Sequence, residues 1–212
     1  MIAEIVSVSL LGGLLSLDVS AWGQIMVSRP IVCGPLIGLL LGDLKTGLII
    51  GVLLELIWIN VISVGAAIPP DATIVAVTCT TLVVLTESRI SLGSNFQGSY
   101  RIVVLALTMP LAEIFKTIDI KQRKLNARFV HYLDREILKG NLKALGKVNN
   151  FSLFLFFLKG FLLSLAAISV GVYILPKLFS YLPYGTLVGL NFAYRLMPAL
   201  GLAIAFNTFR RL

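Results

Sequence analysis

Between Arg29 and Thr73 the chain reads RPIVCGPLIGLLLGDLKTGLIIGVLLELIWINVISVGAAIPPDAT. Two apolar runs flank a short polar turn, Gly42 to Gly47. One acid, Glu55, is embedded in the second run. That run ends in Gly65-Ala66-Ala67-Ile68-Pro69-Pro70-Asp71, where two prolines without backbone donors stop a helix from continuing. A carboxyl inside an apolar run is costly in lipid and must face protein or a water-filled cavity. Apolar runs broken in this way resemble the middle of a membrane transporter more than a soluble core.

The rest of the composition agrees. Of 212 residues, 58% are hydrophobic and 13% charged, with mean hydropathy +0.95; a soluble domain has about 45–50% and about 25%. The excess lies in long blocks, so the chain is expected to be an integral membrane protein. Met1-Ile2-Ala3-Glu4 carries an acid and no basic n-region, so the first apolar run is expected to stay in the mature protein rather than act as a cleaved signal.

The net charge is +8, and nine of the 18 basic residues fall between Lys116 and Lys147. A basic segment between apolar blocks marks the cytoplasmic side. It has no aromatic stacking platform, which argues against nucleic acid. Cys33 and Cys79 lack a CxxC partner and read as buried, reduced thiols. The single histidine, His131, lies in the basic segment, so no His-based metal site or catalytic triad can be built. No catalytic residue, cofactor or metal is expected.

In chain order, Ile2–Leu17 is an apolar run with Gly12-Gly13 in its middle. Asp18–Ser28 is mixed, and reads either as a re-entrant half-helix or as an interfacial loop. Pro30, in the favoured first-turn position, opens a short helix to Leu41, and Gly47–Val64 is the next span. Glu55 within it has two roles open to it: accepting hydrogen bonds from broken backbone nearby, or contacting substrate. Asp71 is placed to cap a helix over Ala72–Leu85. The break before it is either an ordinary turn or a helix N-terminus within the membrane, where free N–H groups line a site.

Arg101–Phe115 follows, interrupted at Met109-Pro110. Leu125, Phe129, Leu133, Ile137 and Leu138, Leu142 and Leu145 recur at spacings of three to four through the basic segment, which predicts an amphipathic helix on the cytoplasmic membrane face, broken at Gly140-Asn141. Phe151–Leu175 is a long span, Pro176–Gly185 an external loop, and Thr186–Thr208 a last block broken by Arg195 and Pro198. Arg195 either pairs with an intramembrane acid such as Glu55 or Asp71, or lies near a surface in a second broken hairpin. The similar breaks at Asp18–Ser28 and Val64–Asp71 hint at an inverted repeat.

The residues Arg29-Pro30, Leu41-Gly42-Asp43, Lys45-Thr46-Gly47, Gly51 with Leu54-Glu55, and Gly65-Ala66-Ala67 followed by Pro70-Asp71-Ala72 carry a resemblance. Together they are similar to the IIC membrane subunit of the mannose/fructose/sorbose family of bacterial phosphotransferase systems. The close match covers roughly Gln24 to Ala76; beyond it only hydropathy and the basic segment fit.

The resemblance implies an all-α, multi-pass protein of the bacterial inner membrane with re-entrant hairpins and an elevator-type movement. It implies a sugar permease subunit that is itself no enzyme. It would work with a IID membrane subunit and with soluble IIB and IIA subunits, a IIB histidine supplying the phosphoryl group to a hexose. Oligomers of IIC–IID pairs, such as trimers, are implied. The sugar site carried over comprises Gly65, Ala66, Ala67 and Asp71, with Gln24 and Glu55 as nearby polar candidates.

On this reading residues 1–118 are membrane helices with hairpins and the sugar-site segment. Residues 119–150 are the cytoplasmic basic amphipathic helix, and 151–212 the C-terminal membrane helices. Two departures stand out: Ser63 occupies a position where some members have asparagine, and the chain ends at Leu212 where many members continue through further membrane segments. The alternative they raise is a truncated or repurposed, non-transporting scaffold or regulator.

Overall fold

The structure, a computed structural model, describes residues 1–19, 21–61, 68–87, 90 and 96–210. Those residues form eight helices and no strand: α1 (Ile2–Leu17), α2 (Pro30–Leu40), α3 (Leu44–Trp58), α4 (Ala72–Glu87), α5 (Gln97–Thr108), α6 (Leu111–Leu138), α7 (Lys143–Ser180) and α8 (Tyr184–Arg210).

Local chemistry sets most of the ends. Arg29 is extended and Pro30 takes the first helical position of α2. Gly42, at φ 82°, terminates the hairpin turn without the penalty a Cβ would bring. Asp43 then caps α3, accepting from the Thr46 amide at 3.0 Å. Asp71 caps α4 in the same way, accepting from the Ile74 amide at 3.1 Å, as the sequence predicts. Gly140, also at φ 82°, ends α6 at the predicted break. Glu136 ties this turn together, accepting from Lys139 Nζ and Asn141 Nδ2, each at 2.9 Å. These bonds, the one from Lys139 foremost, hold its carboxyl below the ordinary glutamate range.

Some expectations change. The basic stretch is shared between α6, from Lys116 onward, and the first turns of α7. Pro176 and Pro198 lie inside α7 and α8, so the expected external loop shrinks to a short turn and the last block is unbroken. A proline costs a helix one hydrogen bond, and an apolar setting offers the backbone no better partner than the rest of the helix. The described residues of Asp18–Ser28 form turns and bends rather than a half-helix.

Helix α4 is the centre. Twelve of its sixteen residues are buried, and it packs against α1, α2, α3, α5, α6 and α7. Around it, α2 lies on α3, α1 on α7, and α5 on α8. The α2–α3 pair is joined backbone to backbone by Gly34 and Gly38 on one helix and Gly47 and Gly51 on the other. A Cβ on Gly47 would stand 2.5 Å from the Gly34 carbonyl oxygen and 2.8 Å from Gly38 Cα. Small residues spaced four apart on facing helices are the arrangement that brings helices close when lipid gives no hydrophobic drive. Helices α7 and α8 are long and apolar enough to cross a bilayer.

Gly47→Leu forces these two backbones apart. It should destabilise the protein by about 1–3 kcal/mol or more, whereas Gly146→Ala, with open space at its Cβ, should not. Thermal unfolding of the detergent-solubilised protein separates the two outcomes.

Candidate functional site

The α2–α3 hairpin, the 18–28 loop, and the starts of α2 and α4 converge with α6 and α7 on one cavity of about 950 Å³. Its wall includes Asp18, Gln24, Ser28 and Arg29 from the loop, Glu55 from α3, Pro69 to Thr73 at the start of α4, and Lys116, Asp119, Arg123 and Lys159 from α6 and α7. The volume falls in the range of small-molecule sites, roughly 300–1,000 Å³.

Asp18 shapes the loop. One carboxylate oxygen accepts from the Ile25 amide at 2.7 Å; the other accepts from the Ser28 amide at 3.0 Å and its hydroxyl at 2.9 Å. These bonds hold a turn in which Gln24 and Met26 have left-handed φ values of 52° and 65°. Two non-glycine residues in that region within three positions mark strain, which collects at ligand sites. Thr73 donates to the Ser28 carbonyl at 3.0 Å, pinning the loop to the start of α4.

Glu55 is held from two sides. The Arg29 guanidinium donates to it through Nε at 2.8 Å and through Nη2. The Ile31 amide, at the free N-terminal end of α2, donates to its other oxygen at 3.3 Å. A carboxylate is stabilised there by both the cation and the helix dipole. Arg29 also donates to the Val61 carbonyl at 3.3 Å. Glu55 thus accepts from broken backbone while its side chain still borders the cavity.

The opposite wall is a charge cluster on three helices. Lys159 of α7 donates to Asp119 of α6 at 2.8 Å and stands 3.9 Å from Asp71 at the start of α4. Asp119 is also bound by Arg123 at 2.9 Å. Lys159, Asp71 and Asp119 each keep only about a tenth of their side-chain surface exposed. Charges that deep persist only when paired, because desolvation would otherwise dominate.

Of the residues singled out from sequence, Gln24, Glu55 and Asp71 border this one cavity. Gly65, Ala66, Ala67 and Ser63 lie outside the described residues. Arg195 pairs with neither Glu55 nor Asp71, whose partners are Arg29 and Lys159; it is exposed on α8. Asp18, Arg29, Asp119 and Lys159 escaped the sequence reading as site residues. Lys159 had a usable signal, a lone cation among the phenylalanines of a membrane-length run.

The groups offer carboxylate acceptors and ammonium and guanidinium donors, a set that binds hydroxyls. Lys159→Met strips the cation from two buried acids and should cost about 3–5 kcal/mol. Adding Asp71→Asn to it should recover part of that loss, and thermal unfolding of both variants checks the pairing.

Comparison with known proteins agrees with this architecture. A family model described as the PTS system sorbose-specific IIC component matches residues 2–211. The mannose-specific EIIC component of Escherichia coli K12 is 32% identical over 183 residues, covering 86% of this chain and 65% of its own length. The fructose permease IIC component of Bacillus subtilis 168 is 35% identical over 117 residues, 55% of this chain and 39% of its own length. The chain therefore spans just under two thirds, or less, of these relatives. The cryo-EM structure of the mannose transporter ManYZ with microcin E492 contains a chain 29% identical, with TM-score 0.66, over 99% of this chain and 79% of that one. A structure described only as a membrane protein aligns with TM-score 0.72 at 26% identity, over 98% of this chain and 78% of that one. The chain is a membrane protein and belongs to the sorbose-specific IIC family of phosphotransferase-system permease components.

Proposed function

We propose that the chain is the permease subunit of a phosphoenolpyruvate-dependent phosphotransferase system, and that it carries a hexose across the bacterial inner membrane as a multi-pass protein. It does so with a IID subunit, for phosphorylation by IIB at the cytoplasmic face. The observation that carries this reading is the cavity bounded by Asp71 and Lys159. Their 3.9 Å separation exceeds a hydrogen bond, so a hydroxyl can enter between them, donating to Asp71 and accepting from Lys159. Gln24 on the strained loop and Glu55 beside Arg29 supply further polar edges for a ring of hydroxyls. Gly65, Ala66 and Ala67, just before Pro69-Pro70, would let the sugar approach the backbone.

Movement is part of the proposal. Helices α2 and α3 have 11 and 15 residues, about 17 and 23 Å at roughly 1.5 Å per residue. Both fall short of the hydrocarbon thickness of about 30 Å. A glycine-welded pair of that length suits a re-entrant hairpin that enters and leaves on one side. Such a hairpin can shift as a unit with its sugar, in an elevator-like step against the long helices. The basic stretch of α6 suits the cytoplasmic face, where IIB and IIA operate. Phosphoryl transfer itself stays with those partners, and oligomers of IIC–IID pairs complete the permease.

The test is phosphoenolpyruvate-dependent hexose uptake in cells carrying this chain with its IID, IIB and IIA subunits. Uptake of at least one hexose is expected, and Asp71→Asn should lower it tenfold or more with membrane insertion and assembly unchanged. Full insertion with no uptake of any hexose would sink the transport reading; undiminished uptake in Asp71→Asn would remove Asp71 from the site.

A further inference from the structure

Helices α6 and α7 run antiparallel. Asp119 meets Lys159 at 2.8 Å, and further toward the Gly140 turn Phe129 meets Phe151 edge to face, with ring centroids 5.5 Å apart. Near that turn the two helices leave a surface groove of about 550 Å³, lined by Arg128, Phe129, Tyr132, Lys147, Val148 and Phe151. Four of these are aromatic or aliphatic, and the other two are cations, one from each helix. Neither Arg128 nor Lys147 has an ion pair or a hydrogen bond with a described residue. The exposed acid Asp134 is two residues from Tyr132 and so on another side of α6. None of the six lines the cavity of Asp71 and Lys159.

The depth of the groove follows from α7. Lys147 and Lys177 are 30 residues apart on that helix, about 45 Å at roughly 1.5 Å per residue. A bilayer with its headgroups is about 40–45 Å thick. The one charge between them, Lys159, is buried and paired with Asp119. The two lysines therefore fall at the two headgroup layers, with Lys147 on the cytoplasmic side beside the rest of the basic stretch. Phe151 is exposed one turn deeper, where the hydrocarbon begins. Tyr132, also exposed, is a residue type that favours this boundary. From the headgroup layer inward, the groove thus offers first a cation and then an aromatic wall.

We propose that this groove seats one anionic phospholipid of the cytoplasmic leaflet, its headgroup phosphate between Arg128 and Lys147 and the upper part of an acyl chain along Phe129, Val148 and Phe151. A phospholipid presents a phosphate above a hydrocarbon chain at this depth, the same order as the cations and aromatics of the groove. Guanidinium and ammonium are strong donors to phosphate oxygens. Two cations without a protein counter-charge favour a headgroup of net negative charge over a zwitterionic one, whose own cation would add to theirs. The bound lipid cancels the repulsion between Arg128 and Lys147 and fills the space between α6 and α7. The site is separate from the sugar cavity and does not depend on which solute the chain carries.

The test delipidates the full chain in mild detergent, titrates it with phosphatidylglycerol and counts bound lipid by native mass spectrometry. One tightly held phosphatidylglycerol is expected, with phosphatidylcholine bound several-fold more weakly and an excess of inorganic phosphate unable to displace the lipid. Arg128→Gln and Lys147→Gln should each weaken it about fivefold, the effect of one cation at an anionic surface, and the double variant about 25-fold. Arg135→Gln removes a charge from the same stretch outside the groove and should leave the bound lipid unchanged. Four outcomes would each overturn the proposal. Equal binding of phosphatidylcholine would mean that net charge is not read. Displacement by inorganic phosphate would mean a free-anion site. Equal losses in Arg135→Gln and Arg128→Gln would mean a diffuse basic surface. A wild-type chain that holds no phosphatidylglycerol would mean that something other than lipid fills the groove.

Discussion

A charge in a low-dielectric interior must find a partner, and this constraint arranges most of the molecule. Lys159 is its centre: one ammonium joins α7 to Asp119 on α6 and to Asp71 at the start of α4. Arg29 and the Ile31 amide of α2 hold Glu55 of α3. At the other end of α4, Glu87 takes a two-pronged bond from Arg101 of α5, at 3.0 and 2.9 Å, and Arg101 reaches Tyr194 of α8 at 3.3 Å. Each pair ties one element to another, and Lys159 and Arg101 reach helices far apart in sequence, so the charges help specify which apolar helices meet. Apolar packing alone does this poorly in lipid. Removing one partner is therefore much worse than removing both.

The second arranging factor is the absence of side chains. Gly34, Gly38, Gly47 and Gly51 bring the backbones of α2 and α3 into direct contact, and Gly13 and Gly160 do likewise between α1 and α7. Close backbones make the α2–α3 hairpin a stiff unit despite its short helices. A stiff hairpin carrying Glu55 next to a loop strained at Gln24 and Met26 gives a preformed cavity wall. Preformed walls cost a ligand less ordering on binding.

Much of this was legible in the sequence because it depends on local chemistry. Proline at the start of α2, the capping Asp71, the breaks at Met109-Pro110 and Gly140, and the extent of α1 all follow from nearby residues. Pairings that join distant segments were not legible. Nothing near Glu55 in sequence names Arg29, and nothing near Lys159 names Asp119. Pro176 and Pro198 misled because a proline's local penalty is small beside the cost of opening a helix in an apolar setting. For Asp18–Ser28 composition left two shapes open; the three bonds that Asp18 accepts favour the loop.

The central claim is that the cavity between Asp71 and Lys159 is where a sugar sits. The most direct measurement is a cryo-EM structure of this chain with its IID subunit in nanodiscs at saturating hexose. The account predicts ring-shaped density in that cavity, with one hydroxyl within hydrogen-bond distance of both Asp71 and Lys159. Hexose density elsewhere in the pair, with this cavity empty, would contradict it.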